Sequence, residues 1–181
     1  MYKKILVPLD GSDMAECVIP QVKSMAENSN ETEVMLLHVW EPPQNISAYP
    51  SAIRYKWELP HEAPSDGPAT DAMKWKEDWK ENPQINDLHA AAYYSQERYT
   101  AYLEKIQKIF TEAGIKSSVN VTAGTPAVQI VDFAVQNKVD VIVMSASGRS
   151  GIVRWALGSV VDKVLHTSPV PVISVKPKEC K

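Results

Sequence analysis

Five short segments with strand character, separated by stretches of helical periodicity, constrain this chain more than any other feature. Lys4–Leu9, Glu33–Trp40 and Asp140–Met144 are predominantly apolar and rich in Ile, Leu and Val. Runs of this kind lack the polar alternation of a sheet that is wet on one side, and they suit strands covered on both faces. Ser117–Thr122 and Val170–Val175 add two more, the latter bracketed by Pro169 and Lys176. The order is strand, helix, strand, an insert, then helix, strand, helix, strand, helix, strand. That alternation implies an α/β fold, a parallel sheet with helices on both faces. A length of 181 residues fits one domain, because two complete cores would be cramped. A single domain over residues 1–181 is expected, with the insert inside it.

The helical stretches carry their own start and stop signals. Asp10-Gly11-Ser12-Asp13 breaks the first strand, and Ser12 or Asp13 suits a helix N-cap. Met14, Val18, Val22 and Met25 follow at helical spacing, with Pro20 expected to kink the axis. From Ile85 a longer stripe runs through Leu88, Ala92, Tyr99, Tyr102, Leu103, Ile106, Ile109 and Phe110. Gly114 suits the position just past its end. Thr125-Pro126 reads as N-cap and first helical residue of a helix carrying Ala127, Ile130, Val131 and Ala134.

The insert, Pro42 to about Asn86, is of a different character. It holds Pro42, Pro43, Pro50, Pro60, Pro64, Pro68 and Pro83, together with Trp57, Trp75 and Trp79. Loops this long are uncommon in compact domains and are often functional. The tryptophans argue for packing, since disordered segments are poor in aromatics. Thr70–Glu81 can form a short helix with Ala72, Trp75 and Trp79 along one side.

Composition excludes several classes of function. The formal net charge is −3, and no basic stripe of the kind that neutralises DNA phosphates is visible. Cys17 and Cys180 lie near opposite ends, and His38, His61, His89 and His166 are scattered, so no zinc spacing exists. Two free thiols in a reducing compartment are expected. The opening apolar run is interrupted at Pro8 and ends at Asp10, too short for a signal peptide or a membrane span. The chain reads as cytoplasmic.

In open parallel sheets ligands bind at the carboxyl ends of strands, where the strand order reverses. The first strand ends in Pro8-Leu9-Asp10-Gly11-Ser12, and the fourth in Met144-Ser145-Ala146-Ser147-Gly148-Arg149. These segments face one another if the two strands are neighbours. Nine residues separate Gly148 from Gly158-Ser159, which stand at a helix start. Glycines admit phosphate oxygens close to backbone N–H groups, and a helix start adds unpaired donors and a favourable dipole.

KKILVPLDGSD at the start, LLHVWEP in the second strand and the stretch from Val121 to Lys176 resemble the universal stress protein family. The resemblance covers almost everything outside the insert. It implies an open doubly wound sheet of five parallel strands in the order 3-2-1-4-5, and a homodimer. For one branch it implies ATP, bound through G-x2-G-x9-G followed by Ser or Thr. On this chain the motif falls on Ser145, Gly148, Gly158 and Ser159, with Ser145 in place of the first glycine. Serine would be strained there if the position needs positive φ. The resemblance further implies that Pro8, Leu9, Asp10, Val39 and Met144 line the adenosine pocket. Val39 would offer backbone groups to the base, and Asp10 a carboxylate to the ribose or to a phosphate-bound magnesium. Arg149 and Val160 would flank the phosphates of ATP or AMP. Dimerisation would use the Val170–Val175 edge strand.

Other readings of the same residues stay in view. Asp10 can be a turn residue and Asp13 a cap, and His38, in the most apolar strand, suits a hydrogen-bonded core histidine better than a catalytic one. A phosphoreceiver domain would end its third strand in aspartate, and Val119-Asn120-Val121-Thr122 has none. A flavodoxin would carry its phosphate loop after the first strand, where Asp10 and Asp13 would repel it. No catalytic triad, carboxylate pair or metal cluster can be argued from spacing. The favoured function is a nucleotide-binding regulatory module. A slow magnesium-dependent ATPase and a dimeric interaction protein without nucleotide are the alternatives.

Overall fold

The computed structural model describes residues 2–27, 31–41, 83–146 and 157–176. Within them run β1 (Lys4–Pro8), α1 (Asp13–Glu16), α2 (Ile19–Ala26), β2 (Glu33–Trp40), α3 (Pro83–Glu112), β3 (Lys116–Ala123), α4 (Pro126–Gln136), β4 (Val141–Ser145), α5 (Ser159–Thr167) and β5 (Val172–Val175). The five strands form one sheet in the order β3-β2-β1-β4-β5, and every pairing is parallel. The doubly wound architecture expected from the sequence is present.

Alternate residues of each strand enter opposite layers of the core, as a pleated strand requires. Ile5, Val7, Val34, Leu36, Val141 and Val143 pack with α1–α3 residues such as Val18, Val22, Leu103 and Phe110. Leu6, Met35, Leu37, Ile142 and Met144 pack with Ala127, Ile130 and Ala134 of α4 and Val161 and Val164 of α5. Each such aliphatic or aromatic side chain, when fully buried, contributes about 1.5–3 kcal/mol. Both faces of the central strands are therefore consumed by the core, and a ligand has only the strand ends left to it.

Several local expectations change. Pro20 does not kink a long helix. The chain makes a short α1, turns at Cys17-Val18, and begins α2 anew with Pro20 in the first turn, where its missing N–H costs nothing. The N-cap of α1 is Ser12, whose side chain accepts from the Ala15 N–H, and Asp13 is already helical. Ile109 points outward, 39% exposed, while Leu103, Ile106 and Phe110 of the same stripe are buried. Gly114 does end α3, at φ +73°, and the Ile115 N–H returns to the Phe110 carbonyl at 2.9 Å, a Schellman closure. The last strand is shorter than expected and starts at Val172.

The chain divides into two compact units, one of Met1–Glu41 with Glu97–Lys181 and one of Pro42–Gln96. The second contains the proline- and tryptophan-rich insert. Trp57, Trp75, Trp79 and the Thr70–Glu81 segment lie outside the described residues. Cys17 corrects the expectation of free thiols, for it is disulfide-bonded. The sequence has one other cysteine, Cys180, which is outside the described residues. Spacing along the chain is silent on such pairing, which depends on the approach of two Cα atoms in the folded state.

Candidate functional site

The carboxyl edge of the sheet opens because β1 stops early. Pro8 is its last residue and pairs with Leu37, whereas β2 continues through His38 and Val39 to Trp40. In a parallel sheet both backbone groups of a residue face one neighbour, and successive residues alternate sides. The Glu33 N–H donates to the Lys3 carbonyl at 2.8 Å, and the Leu37 carbonyl accepts from the Leu9 N–H at 2.9 Å. Odd-numbered residues of β2 thus face β1. The Trp40 carbonyl accepts from the Gly124 N–H at 2.9 Å, so even-numbered ones face β3. Val39 is odd and lies beyond the end of β1. Its N–H and C=O point into the place that β1 has vacated.

The opposite wall is built by β4 and α5. Ile142 and Ala146 donate to the Pro171 and Val175 carbonyls of the β5 side, which turns Ser145 toward the β1 side. The Gly158 N–H donates to the Ala146 carbonyl at 2.9 Å. That bond sets the N-terminus of α5 directly on the end of β4. Gly158 is the N-cap and contributes no side chain, and the first intrahelical bond runs from the Asp162 N–H to the Gly158 carbonyl. The N–H groups of Ser159, Val160 and Val161 have no backbone partner among the described residues. A helix start in this state is an anion-binding surface.

Asp10 leads the loop between these walls. Its Oδ1 accepts from the Ser12 N–H at 3.0 Å and from the Ser12 hydroxyl at 2.6 Å. Gly11 makes that turn possible at φ +83°, in the left-handed region that glycine enters without steric cost. The turn reading and the ligand reading of Asp10 are compatible, since one oxygen shapes the loop and the carboxylate stays at the strand end. Leu9 is buried, 2% exposed. Tyr102 of α3 packs against the same core layer. Burial first, then the carboxylates of Glu16, Asp10 and Asp13, push its phenol up, so it remains a neutral donor. Its hydroxyl makes no hydrogen bond of good geometry among the described residues.

Ser145 is not strained. It lies in β4, and Lys138 is the lone non-glycine residue with positive φ among those described. The glycine that the resemblance places there is therefore not required by backbone conformation in this chain. Pro8, Leu9, Asp10, Val39, Met144, Ser145, Gly158, Ser159 and Val160 all belong to strand ends or the helix start at this edge. Gly148 and Arg149 lie outside the described residues. Helical spacing places Tyr99 on the apolar stripe of α3 but does not pair it with His38, on whose buried ring it stacks with centroids 3.6 Å apart. The histidine in an apolar strand was the available signal.

Among the described residues no group of three or more His, Cys, Asp and Glu could hold a metal ion, and no helix is long and apolar enough to cross a membrane. A parallel sheet of order β3-β2-β1-β4-β5, with a helix start at its carboxyl edge whose first N–H groups have no backbone partner among the described residues, defines a doubly wound α/β protein. The chain belongs to the universal stress protein family, whose model matches residues 1–176. The universal stress protein MJ0531 of Methanocaldococcus jannaschii is 30% identical over 178 residues, which is 97% of this chain and 83% of that protein. The structure of MJ0577 from the same organism superimposes with a TM-score of 0.70 at 26% identity, covering 99% of both chains. A universal stress protein solved in complex with cAMP shares the fold at 18% identity and a TM-score of 0.58, over 98% of both chains.

Proposed function

We propose that this protein binds an adenine nucleotide, ATP or AMP, at the carboxyl edge of its sheet and serves as a stress-response or regulatory module. The observation that carries the reading is the Gly158–Ala146 backbone bond. It sets a helix start, whose first N–H groups have no backbone partner among the described residues, across the gap from the outward-facing backbone of Val39. A base needs a donor and an acceptor in the plane of a strand edge, and a phosphate needs convergent N–H groups. The two walls supply one each. The cAMP held by a relative of the same fold supports the adenine nucleotide class.

Pro8, Leu9, Asp10, Val39, Met144 and Ser145 would form the nucleoside side of the site. Gly148, Arg149, Gly158, Ser159 and Val160 would form the phosphate side. Asp10 would offer its carboxylate to the ribose or, where magnesium accompanies the phosphates, to that metal. Titration calorimetry with ATP, AMP and GTP, with and without magnesium, tests the reading. Binding of an adenine nucleotide with preference over GTP is the expected result, and no heat with any of them sinks it.

The assembly belongs to the same proposal. Among the described residues β5 is an edge strand with one neighbour, and pairing with a second copy would cover such an edge. A homodimer is the expected species by sedimentation, and Ile173→Lys should shift it to monomer. A monomer at high micromolar concentration in the native protein refutes this part. The compartment proposed is the cytoplasm, where the nucleotide pool lies. Thiol titration of freshly purified protein tests this: a reactive Cys17 is the result expected of a reducing compartment, and a persistent disulfide at Cys17 overturns it.

A further inference from the structure

We propose that His38 is a positioning residue that keeps the base-reading edge of Val39 open, without touching nucleotide itself. The inference rests on the nucleotide reading above, but its geometry stands apart from it. The Leu9 N–H donates to the Leu37 carbonyl at 2.9 Å. In a continuing parallel ladder the next bond would run from the Val39 N–H to the Leu9 carbonyl. Among the described residues that bond is absent. The Leu9 carbonyl instead has the His38 imidazole, with Nδ1 2.7 Å away. A carbonyl oxygen can only accept, so Nδ1 carries the proton and donates.

The ring is placed to take that carbonyl, and burial and stacking hold it there. His38 has the same parity as Val34 and Leu36, so its side chain enters the α1–α3 layer of the core, where it is 1% exposed. There it stacks on Tyr99 of α3 with the ring planes 20° apart. The Leu9 carbonyl is thereby held from the α3 side of the sheet rather than by the in-plane N–H of Val39. The imidazole ends the β1–β2 ladder one bond early. It frees the Val39 N–H for a ligand and fixes the peptide that leads into Asp10.

The test uses the full chain without nucleotide first, reading amide hydrogen exchange at Val39 by NMR, and then ATP titration of the same samples. His38→Leu removes the donor. The Val39 amide should become protected as the ladder extends, and ATP affinity should fall about tenfold, the scale of one lost hydrogen bond with its partner buried. His38→Asn should retain both native properties, because its side-chain nitrogen stands at the same distance from the backbone as Nδ1. His38→Gln places its nitrogen one bond further out and should behave like His38→Leu, so the Asn and Gln pair decides if the Leu variant fails to fold. Unchanged Val39 exchange in the donor-less variants overturns the inference, as does equal loss of affinity in His38→Asn and His38→Gln. If native protein binds neither ATP nor AMP, the nucleotide reading falls, and Val39 exchange still judges the role of His38.

Discussion

The two walls of the crevice are made by different means. The β4–α5 wall is local: a strand end, a glycine and a helix start, joined by one backbone bond between Ala146 and Gly158. The β1–β2 wall is assembled from residues far apart in the chain, with Leu9 held by Leu37 and His38. A local wall presents donors whose direction follows from helix geometry, and it tolerates change in the core behind it. A non-local wall depends on register, on a buried ring and on where a neighbouring strand happens to stop. The first should fail through substitutions that touch the ligand, and the second through substitutions that do not.

Gly158→Val offers the largest effect on the local wall. Gly158 sits at φ −61° and ψ 148°, a conformation that valine adopts without strain, so the change adds bulk alone at the helix start. Nucleotide affinity should drop by about tenfold or more by calorimetry, with the thermal midpoint nearly unmoved. A parallel fall in stability and affinity would mean that the glycine serves the fold and not the ligand. Ser159→Ala removes one hydroxyl and leaves the backbone donors, so it should cost ~1 kcal/mol, about fivefold in affinity. A loss as large as that of Gly158→Val would shift the weight of the wall from main chain to side chain.

Ser145→Gly should change affinity less still, by no more than about twofold. The residue is buried in an ordinary strand conformation, and glycine has no positive φ to relieve there. A large gain would show that serine at this place suppresses nucleotide binding, and would favour a dimeric interaction protein.

The smallest effect on the crevice should come from Asp140→Asn, at the amino end of the sheet. The Asp140 carboxylate accepts from the Lys3 and Lys4 N–H groups at 2.7 and 2.9 Å. These bonds, Lys4 first and then Lys3, hold its carboxyl below the ordinary value of 3.8. A depressed folded-state pKa contributes stability above the unfolded value, and that contribution is lost as pH falls through the folded one. The carboxylate is well exposed, and solvent screening keeps the effect small. Thermal melts should show native and variant proteins converging below about pH 3.8 and separating slightly at neutral pH, with nucleotide affinity equal throughout. A change in affinity would couple the two ends of the sheet and blur the contrast between the walls.

Much of this protein was determined by its sequence alone, because the signals are short-range. The five strands, the start of α4 at Thr125-Pro126, the stop at Gly114 and the helix start at Gly158-Ser159 follow from apolar runs, turn residues and capping preferences. Those act within a few residues of chain. The buried, hydrogen-bonded character of His38 was legible for the same reason, since a polar ring in an apolar strand must find a partner. What it would bond was not legible. Its acceptor, Leu9, is 29 residues away, and the consequence for Val39 depends on strand order and register, which no local propensity encodes. The clamp of Asp140 on Lys3 and Lys4 spans more than 130 residues, and the disulfide at Cys17 was likewise invisible to spacing. Tertiary structure decided these features, because a contact between distant residues exists only once the packing of both core layers has brought their backbones together.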